Sequence, residues 1–255
     1  MKVVILAGGF GTRLSEETEI IPKPMIEIGG KPILWHIMKS YSSFGYNDFI
    51  ILLGYKGYVI KEYFFNYFIH QSDITVNLSD NNIQVHKNHS EDWKVTLVDT
   101  GLNTMTGGRI LRLKSLISED ENFFMTCGVG LCNVNLDKLK EFHLKNNKIA
   151  TITAVHPPVR FGELEIEDIK VKKFEEKSQA KAGWINGGFF ILNYKIFSYI
   201  KNDSTLFERE PMERLTQKEN LVAFKHEGFW KCMDNLRDKI ILDELCKNNN
   251  LLWKK

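Results

Sequence analysis

Hydrophobic and polar positions fall into alternating blocks along the first 155 residues. Apolar runs near 2–7, 48–53, 94–98, 122–127 and 149–156 are short and rich in Val, Ile, Leu and Phe, which predicts buried strands. Between them, residues spaced three and four apart predict helices over 31–44, 56–68, 107–117 and 136–146. Strand and helix in turn imply parallel βαβ units. The pattern changes at "GELEIEDIKVKKFEEK", where period-two alternation predicts a small antiparallel excursion. A strand at 185–192, a helix near 209–218, a strand at 221–226 and a last helix at 235–248 complete the chain. The expected fold class is α/β, with a mixed, mostly parallel central sheet flanked by helices.

Composition narrows this picture. A chain of 255 residues, 43% hydrophobic and 26% charged, suits one soluble α/β domain or a core domain with a small appendage. Lys and Arg (34) nearly balance Asp and Glu (32), a net charge of +2, so no nucleic acid or membrane partner is expected. "MKVVILAGG" is too short to span a membrane and no small-residue cleavage site follows it, which points to a cytoplasmic protein. Cys127, Cys132, Cys232 and Cys246 form no CxxC pair and read as reduced core thiols.

Candidate chemistry begins at "ILAGGFGTRL". Gly8, Gly9 and Gly11 directly follow the first strand, where backbone amides can approach a phosphate. Arg13 adds a guanidinium suited to phosphate oxygens. A glycine-rich turn by itself also simply turns the chain. A P-loop is excluded because no Gly-Lys precedes Ser or Thr. A dinucleotide fingerprint is excluded because Leu14 stands where a small residue belongs and "FIILLGYK" ends without an acid. Lys23, between Pro22 and Pro24, has a stiffened frame; it is either a solvated lysine or the cation of a polyphosphate cradle.

"LAGGFGTRL" followed by "PKPM" resembles the signature of the sugar-phosphate nucleotidylyltransferases. "GGKPILWHIMK", "GYKGYVIKEYF", "VTLVDTG", "MTGGR", "INGGFFILN" and "GFWKCMDNLRDK" narrow the resemblance to the glucose-1-phosphate cytidylyltransferase family, across essentially the whole chain. The resemblance implies a Rossmann-like nucleotide-diphospho-sugar transferase fold. It implies one domain over 1–255, with a nucleotide-binding part at about 1–130 and a sugar-phosphate-binding part at about 131–255. The implied reaction converts CTP and glucose 1-phosphate to CDP-glucose and pyrophosphate, with Mg²⁺ as cofactor, in a homo-oligomer. Leu6, Ala7, Gly8, Gly9, Gly11, Thr12, Arg13, Lys23, Thr106, Arg109 and Gly128 would bind nucleotide, Arg13 and Lys23 acting in catalysis. Gly162, Glu176, Lys177 and Asn186 would bind the sugar phosphate, with Glu163 lining the same pocket.

The residues themselves leave plainer alternatives open. "VDTGLNTMTGGRI" reads as an ordinary capped loop with Thr106 near the cap, or as a base-reading loop with Arg109 as reader. Glu176 and Lys177 read as a surface pair, with Ser178 where the family often has proline. Asn186-Gly187-Gly188 suggests close approach by a ligand or a second backbone. His86 and His89, together with Glu91, suggest a metal cluster, but they lie in a polar loop without a fourth ligand of suitable spacing, and the histidines read as solvated. Asp234, just before the last helix, reads as an N-cap; by resemblance it is one of two carboxylates that bind Mg²⁺. The other belongs between Gly128 and Gly130, where this chain has Val129. An isopropyl group offers a hard cation nothing. Two rivals therefore stand beside the transferase: a catalytically weak binder of nucleotide or nucleotide-sugar, and a cytidylyltransferase for another phosphorylated acceptor.

Overall fold

In the computed structural model, which describes residues 1–14, 18–157, 163–167, 169–175, 183–248 and 250–253, the apolar runs assemble into one seven-stranded sheet. The first half runs β1 (Val3–Leu6), β2 (Glu27–Ile28), β3 (Lys31–Pro32), α1 (Ile33–Ser42), β4 (Asp48–Leu53), α2 (Gly57–His70), β5 (Ser72–Asn77), β6 (Asn82–Asn88), β7 (Lys94–Asp99), α3 (Thr106–Leu111) and β8 (Asn122–Cys127). The second runs β9 (Gly130–Cys132), α4 (Leu136–Asn146), β10 (Ala150–Val155), β11 (Glu163–Glu167), β12 (Lys170–Glu175), β13 (Ile185–Asn193), α5 (Glu210–Gln217), β14 (Leu221–His226), β15 (Trp230–Cys232) and α6 (Leu236–Lys247). The large sheet has the order β14-β10-β13-β8-β1-β4-β7. Within it β13 is antiparallel to both neighbours and the remaining pairs are parallel.

Why the apolar runs are unbroken is clear from the two cores. Side chains alternate across a strand. Val3, Ile5, Phe49, Ile51 and Phe124 meet Ile33, Leu34 and Ile37 of α1 and Leu242 of α6 on one face. Val4, Ile50, Leu52, Phe123 and Met125 meet Ile110 of α3 and Leu215 of α5 on the other. Both faces are covered, so both alternating sets must be apolar. Each such side chain contributes about 1.5–3 kcal/mol by leaving water.

Three features differ from the sequence reading. The helix expected over 107–117 ends as α3 at Leu111 and tightens into a 3-10 turn at Arg112–Ser115. Leu113 and Ile117 stay buried, so the apolar spacing is kept while the helix type changes. The polar stretch around His86 is an antiparallel hairpin, β5–β6, in which Ile74 faces Val85 and Val76 faces Ile83. His86 there meets the Thr75 hydroxyl at 2.8 Å. Last, β9 and β15 form a three-residue antiparallel pair outside the main sheet, which no apolar pattern announces. The excursion at β11–β12 is antiparallel, as its period-two pattern predicts.

Candidate active site

From β1 the sheet grows outward through β4 to β7, and the chain then returns to β8 on the opposite side of β1. Loops leaving the carboxyl ends of β1 and β8 diverge at this reversal and leave a crevice, the usual ligand position in an open α/β sheet. Here it is a cleft of about 490 Å³. Its walls are Leu6–Thr12, Lys23 with Pro24, Leu102–Thr106 with Arg109, the turn Cys127–Val129, and Leu206. A larger groove of about 640 Å³ lies between α2 and β7. Phe64, Phe65, Phe68 and Trp93 wall much of it and offer a phosphate little, so the smaller cleft is the candidate site.

The glycine loop is shaped by what runs beneath it. A Cβ on Gly8 would lie 2.3 Å from Arg109 Nη1, so only glycine lets the guanidinium pass there. Arg109 is 5% exposed and donates to the carbonyls of Leu53 at 3.0 Å, Gly101 at 2.9 Å and Leu102 at 3.2 Å, and to the Thr100 hydroxyl. Burial pulls its pKa down while Asp99 acts in the opposite sense. Arg109 thus lines the cleft as a pin that holds the Thr100–Leu102 backbone, rather than as a free arm reaching for a base. Thr106 is not the cap of α3, whose N-cap is Met105. Its hydroxyl donates to Glu208 at 2.6 Å and accepts from Phe207 N at 2.9 Å.

Lys23 sits in a 3-10 turn whose N-cap is Pro22, 7% exposed, with Nζ 2.9 Å from Asp234 Oδ1. The β9–β15 pair brings these groups together. Cys232 faces Gly130 in that pair, and Met233 N donates to Val129 O at 2.9 Å, so Asp234 emerges beside the turn. Asn235, not Asp234, caps α6: it accepts from Asp238 N, and Asp238 accepts from the backbone N–H groups of Asn235 and Asp234. The expected capping aspartate instead pairs with Lys23. Burial pushes the thiols of Cys127 and Cys232 up to about 12, so both stay protonated near neutral pH.

The remaining candidates are more dispersed. Asn186 is exposed at the start of β13, outside the cleft lining, and its Oδ1 accepts from Gly188 N at 2.8 Å. Gly187 and Gly188 lie where the β10–β13 register slips, a bulge; a Cβ on Gly187 would meet the Thr153 carbonyl at 2.9 Å, while one on Gly188 would face the Cys127 side chain. Arg13 has a described backbone only, and Gly162, Glu176 and Lys177 lie outside the described residues. The sequence reading missed Phe10, Leu102 and the buried Thr104 as cleft walls. Their position between the glycine landmarks was the available signal.

Residues 2–238 match the nucleotidyl transferase family. A glucose-1-phosphate cytidylyltransferase of Salmonella typhi is 53% identical over 254 residues, covering 100% of this chain and 99% of that protein. The chain belongs to the nucleotidyl transferase family. A probable glucose-1-phosphate cytidylyltransferase of Bacillus subtilis is 44% identical over 255 residues, covering 100% of this chain and 99% of the relative. The crystal structure of HddC from Yersinia pseudotuberculosis aligns with a TM-score of 0.69 at 27% identity, over 97% of this chain and 99% of that one.

Nucleotidyl transferases generally use a divalent metal ion, which makes the surroundings of Asp234 the place to test for one. Mg²⁺ demands hard oxygen ligands. Here one carboxylate carries the Lys23 ammonium at 2.9 Å and a hydrogen bond from the Cys232 thiol. The turn beside it presents the Val129 side chain, whose own carbonyl is taken by Met233 N. No group of three or more His, Cys, Asp and Glu side chains is arranged for a metal among the described residues. These residues do not fit an ion held by the protein itself.

Proposed function

We propose that this nucleotidyl transferase joins CTP to glucose 1-phosphate, forming CDP-glucose and releasing pyrophosphate. The observation that carries this reading is the full-length 53% identity to the Salmonella typhi enzyme, in a chain whose glycine loop and Lys23 share one cleft. A phosphate oxygen of the sugar attacks the α-phosphorus. The bond from that phosphorus to the bridging oxygen breaks, and pyrophosphate leaves with the electron pair. Two anions must meet in line, so positioning and charge neutralisation supply most of the acceleration. Amides of Gly8–Gly11 and the cations Arg13 and Lys23 receive the triphosphate. The Leu102–Thr106 wall, held by Arg109, reads the pyrimidine; Gly162, Glu176, Lys177 and Asn186 take the sugar phosphate. Mg²⁺ is the ion we assign to the reaction, as the counter-ion of the triphosphate, with Asp234, beside Lys23, the carboxylate we assign to it.

The chain acts as one domain, its nucleotide part at about 1–130 and its sugar-phosphate part at about 131–255; strands of both parts share the large sheet. Free thiols at Cys127, Cys132, Cys232 and Cys246 suit a reducing cytoplasm. No helix among the described residues is long and apolar enough to cross a membrane. The test is Mg²⁺-dependent pyrophosphate release from CTP and glucose 1-phosphate. CTP is expected to be the preferred nucleotide, UTP next; equal or better use of ATP or GTP overturns the assignment.

Val129 supports a second reading, a nucleotide binder with weak turnover. If the missing carboxylate is worth roughly 3–5 kcal/mol to the transition state, Val129→Asp raises kcat about 10²–10⁴-fold. A wild-type kcat equal to or above that of the variant removes this reading.

A further inference from the structure

Val129 stands where the family resemblance places a carboxylate, and the Asp234 carboxylate carries the Lys23 ammonium beside the bond from the Cys232 thiol. The pair is short, at 2.9 Å, and the lysine is 7% exposed. A cation approaching Asp234 in the nucleotide-free chain must break this pair and leave a buried ammonium without its counter-charge, which is strongly unfavourable. The other nearby groups do not compensate. Cys232 and Cys127 offer sulfur, a poor match for a hard ion. Hydrogen bonds from the Asp234 and Asn235 backbone and a salt bridge from Lys231 at 2.6 Å engage Asp238.

We propose that the described residues around Asp234 form no divalent-cation site in the nucleotide-free chain, because Lys23 occupies the carboxylate that a cation would use and Val129 supplies no second one. This rests on the nucleotidyl transferase reading only for its second half. A bound triphosphate brings its own anionic oxygens into reach of Lys23, whose ammonium can exchange Asp234 for phosphate. Asp234 is then available to an ion that arrives already complexed to the nucleotide. Lys23 becomes a latch between two charge states of one site: paired with the protein when the cleft lacks nucleotide, paired with phosphate when it is filled. Metal and nucleotide bind in a forced order, with the metal never first.

The test is calorimetric titration of Mn²⁺ into the nucleotide-free protein, beside Val129→Asp, Lys23→Met and the double variant Val129→Asp/Asp234→Asn. Thermal melts confirm that each is folded. Wild type is expected to show no Mn²⁺ binding tighter than the millimolar range, and Val129→Asp to bind at least tenfold more tightly. Lys23→Met is expected to tighten Mn²⁺ without any change at the turn, and Asp234→Asn to abolish what Val129→Asp gained. Wild-type binding equal to that of Val129→Asp overturns the proposal, as does a Lys23→Met protein whose Mn²⁺ affinity matches wild type. A separate CTP titration in EDTA tests the nucleotide half: it is expected to show binding without metal. Failure to bind CTP with or without Mg²⁺ would count against the proposed function, while the nucleotide-free titrations still decide the absence of a cation site.

Discussion

Single residues in this chain often serve the protein's own backbone where their type suggests a ligand. Arg109 is the clearest case: three carbonyls and a hydroxyl take its donors. Arg109→Ala removes these charge-assisted bonds and lets the Thr100–Leu102 wall relax. A loss of about 1.5–3 kcal/mol, roughly ten- to a hundredfold, is expected in CTP affinity, with glucose 1-phosphate affinity nearly unchanged. Calorimetry with each ligand checks this, and an equal loss for both would show a general loosening instead. His143 likewise bonds within the protein, here to two side chains away from the cleft lining. It is 2% exposed, with Nδ1 2.8 Å from Thr151 Oγ1 and Nε2 3.2 Å from Asn122 Oδ1, and burial lowers its pKa from 6.5 to about 4. The fold therefore favours neutral imidazole. Its stabilisation is fully present above pH 6.5 and is lost as pH falls toward about 4. Urea midpoints at pH 7.5 and 5 are expected to diverge more for wild type than for His143→Gln; equal divergence would remove His143 as the cause.

At the scale of elements, the site is delivered by short structure. The β9–β15 pair is three residues on each side, yet it carries Asp234 from one end of the chain to Lys23 near the other. The capping box of α6 holds the same segment from below, through Asn235 and Asp238. Asn235→Ala removes a cap and is expected to cost about 1 kcal/mol. It is also expected to weaken CTP binding, because Asp234 and the Lys23 pair lose their support. A variant with lowered melting temperature and unchanged CTP affinity would separate the cap from the site. The long strands and helices contribute stability, the crevice and Arg109 of α3, whereas Lys23 comes from a 3-10 turn and Asp234 from the residue before the cap of α6.

Across the whole molecule, one surface is conspicuously apolar. Phe65 is 87% and Phe68 48% exposed on α2, beside the groove that ends at β7, the edge of the large sheet. An uncovered edge strand with aromatic neighbours is a liability unless something packs on it. We propose a second copy of the chain, in keeping with a homo-oligomer. Analytical ultracentrifugation is expected to show a mass above that of one chain, reduced by Phe65→Asp; a monomeric wild type at tens of micromolar sinks the idea. The division between sequence and tertiary structure also becomes plain at this scale. Apolar runs such as 122–127 and helical spacing such as 136–146 were legible because burial on both sheet faces and on one helix face writes a local period into the chain. The glycine loop after β1 was legible for the same reason, since its chemistry lies within a few adjacent residues. The glycines on both sides of Val129 marked a turn, and only the family resemblance made the valine legible as a missing charge. The sequence did not disclose that Lys23 and Asp234, 211 positions apart, form one ion pair, or that Arg109 spends its donors on the backbone beneath Gly8. Periodicity records which face of an element is buried, whereas pairing of charges across the crevice depends on strand order and on a three-residue bridge. Only the folded chain decides those.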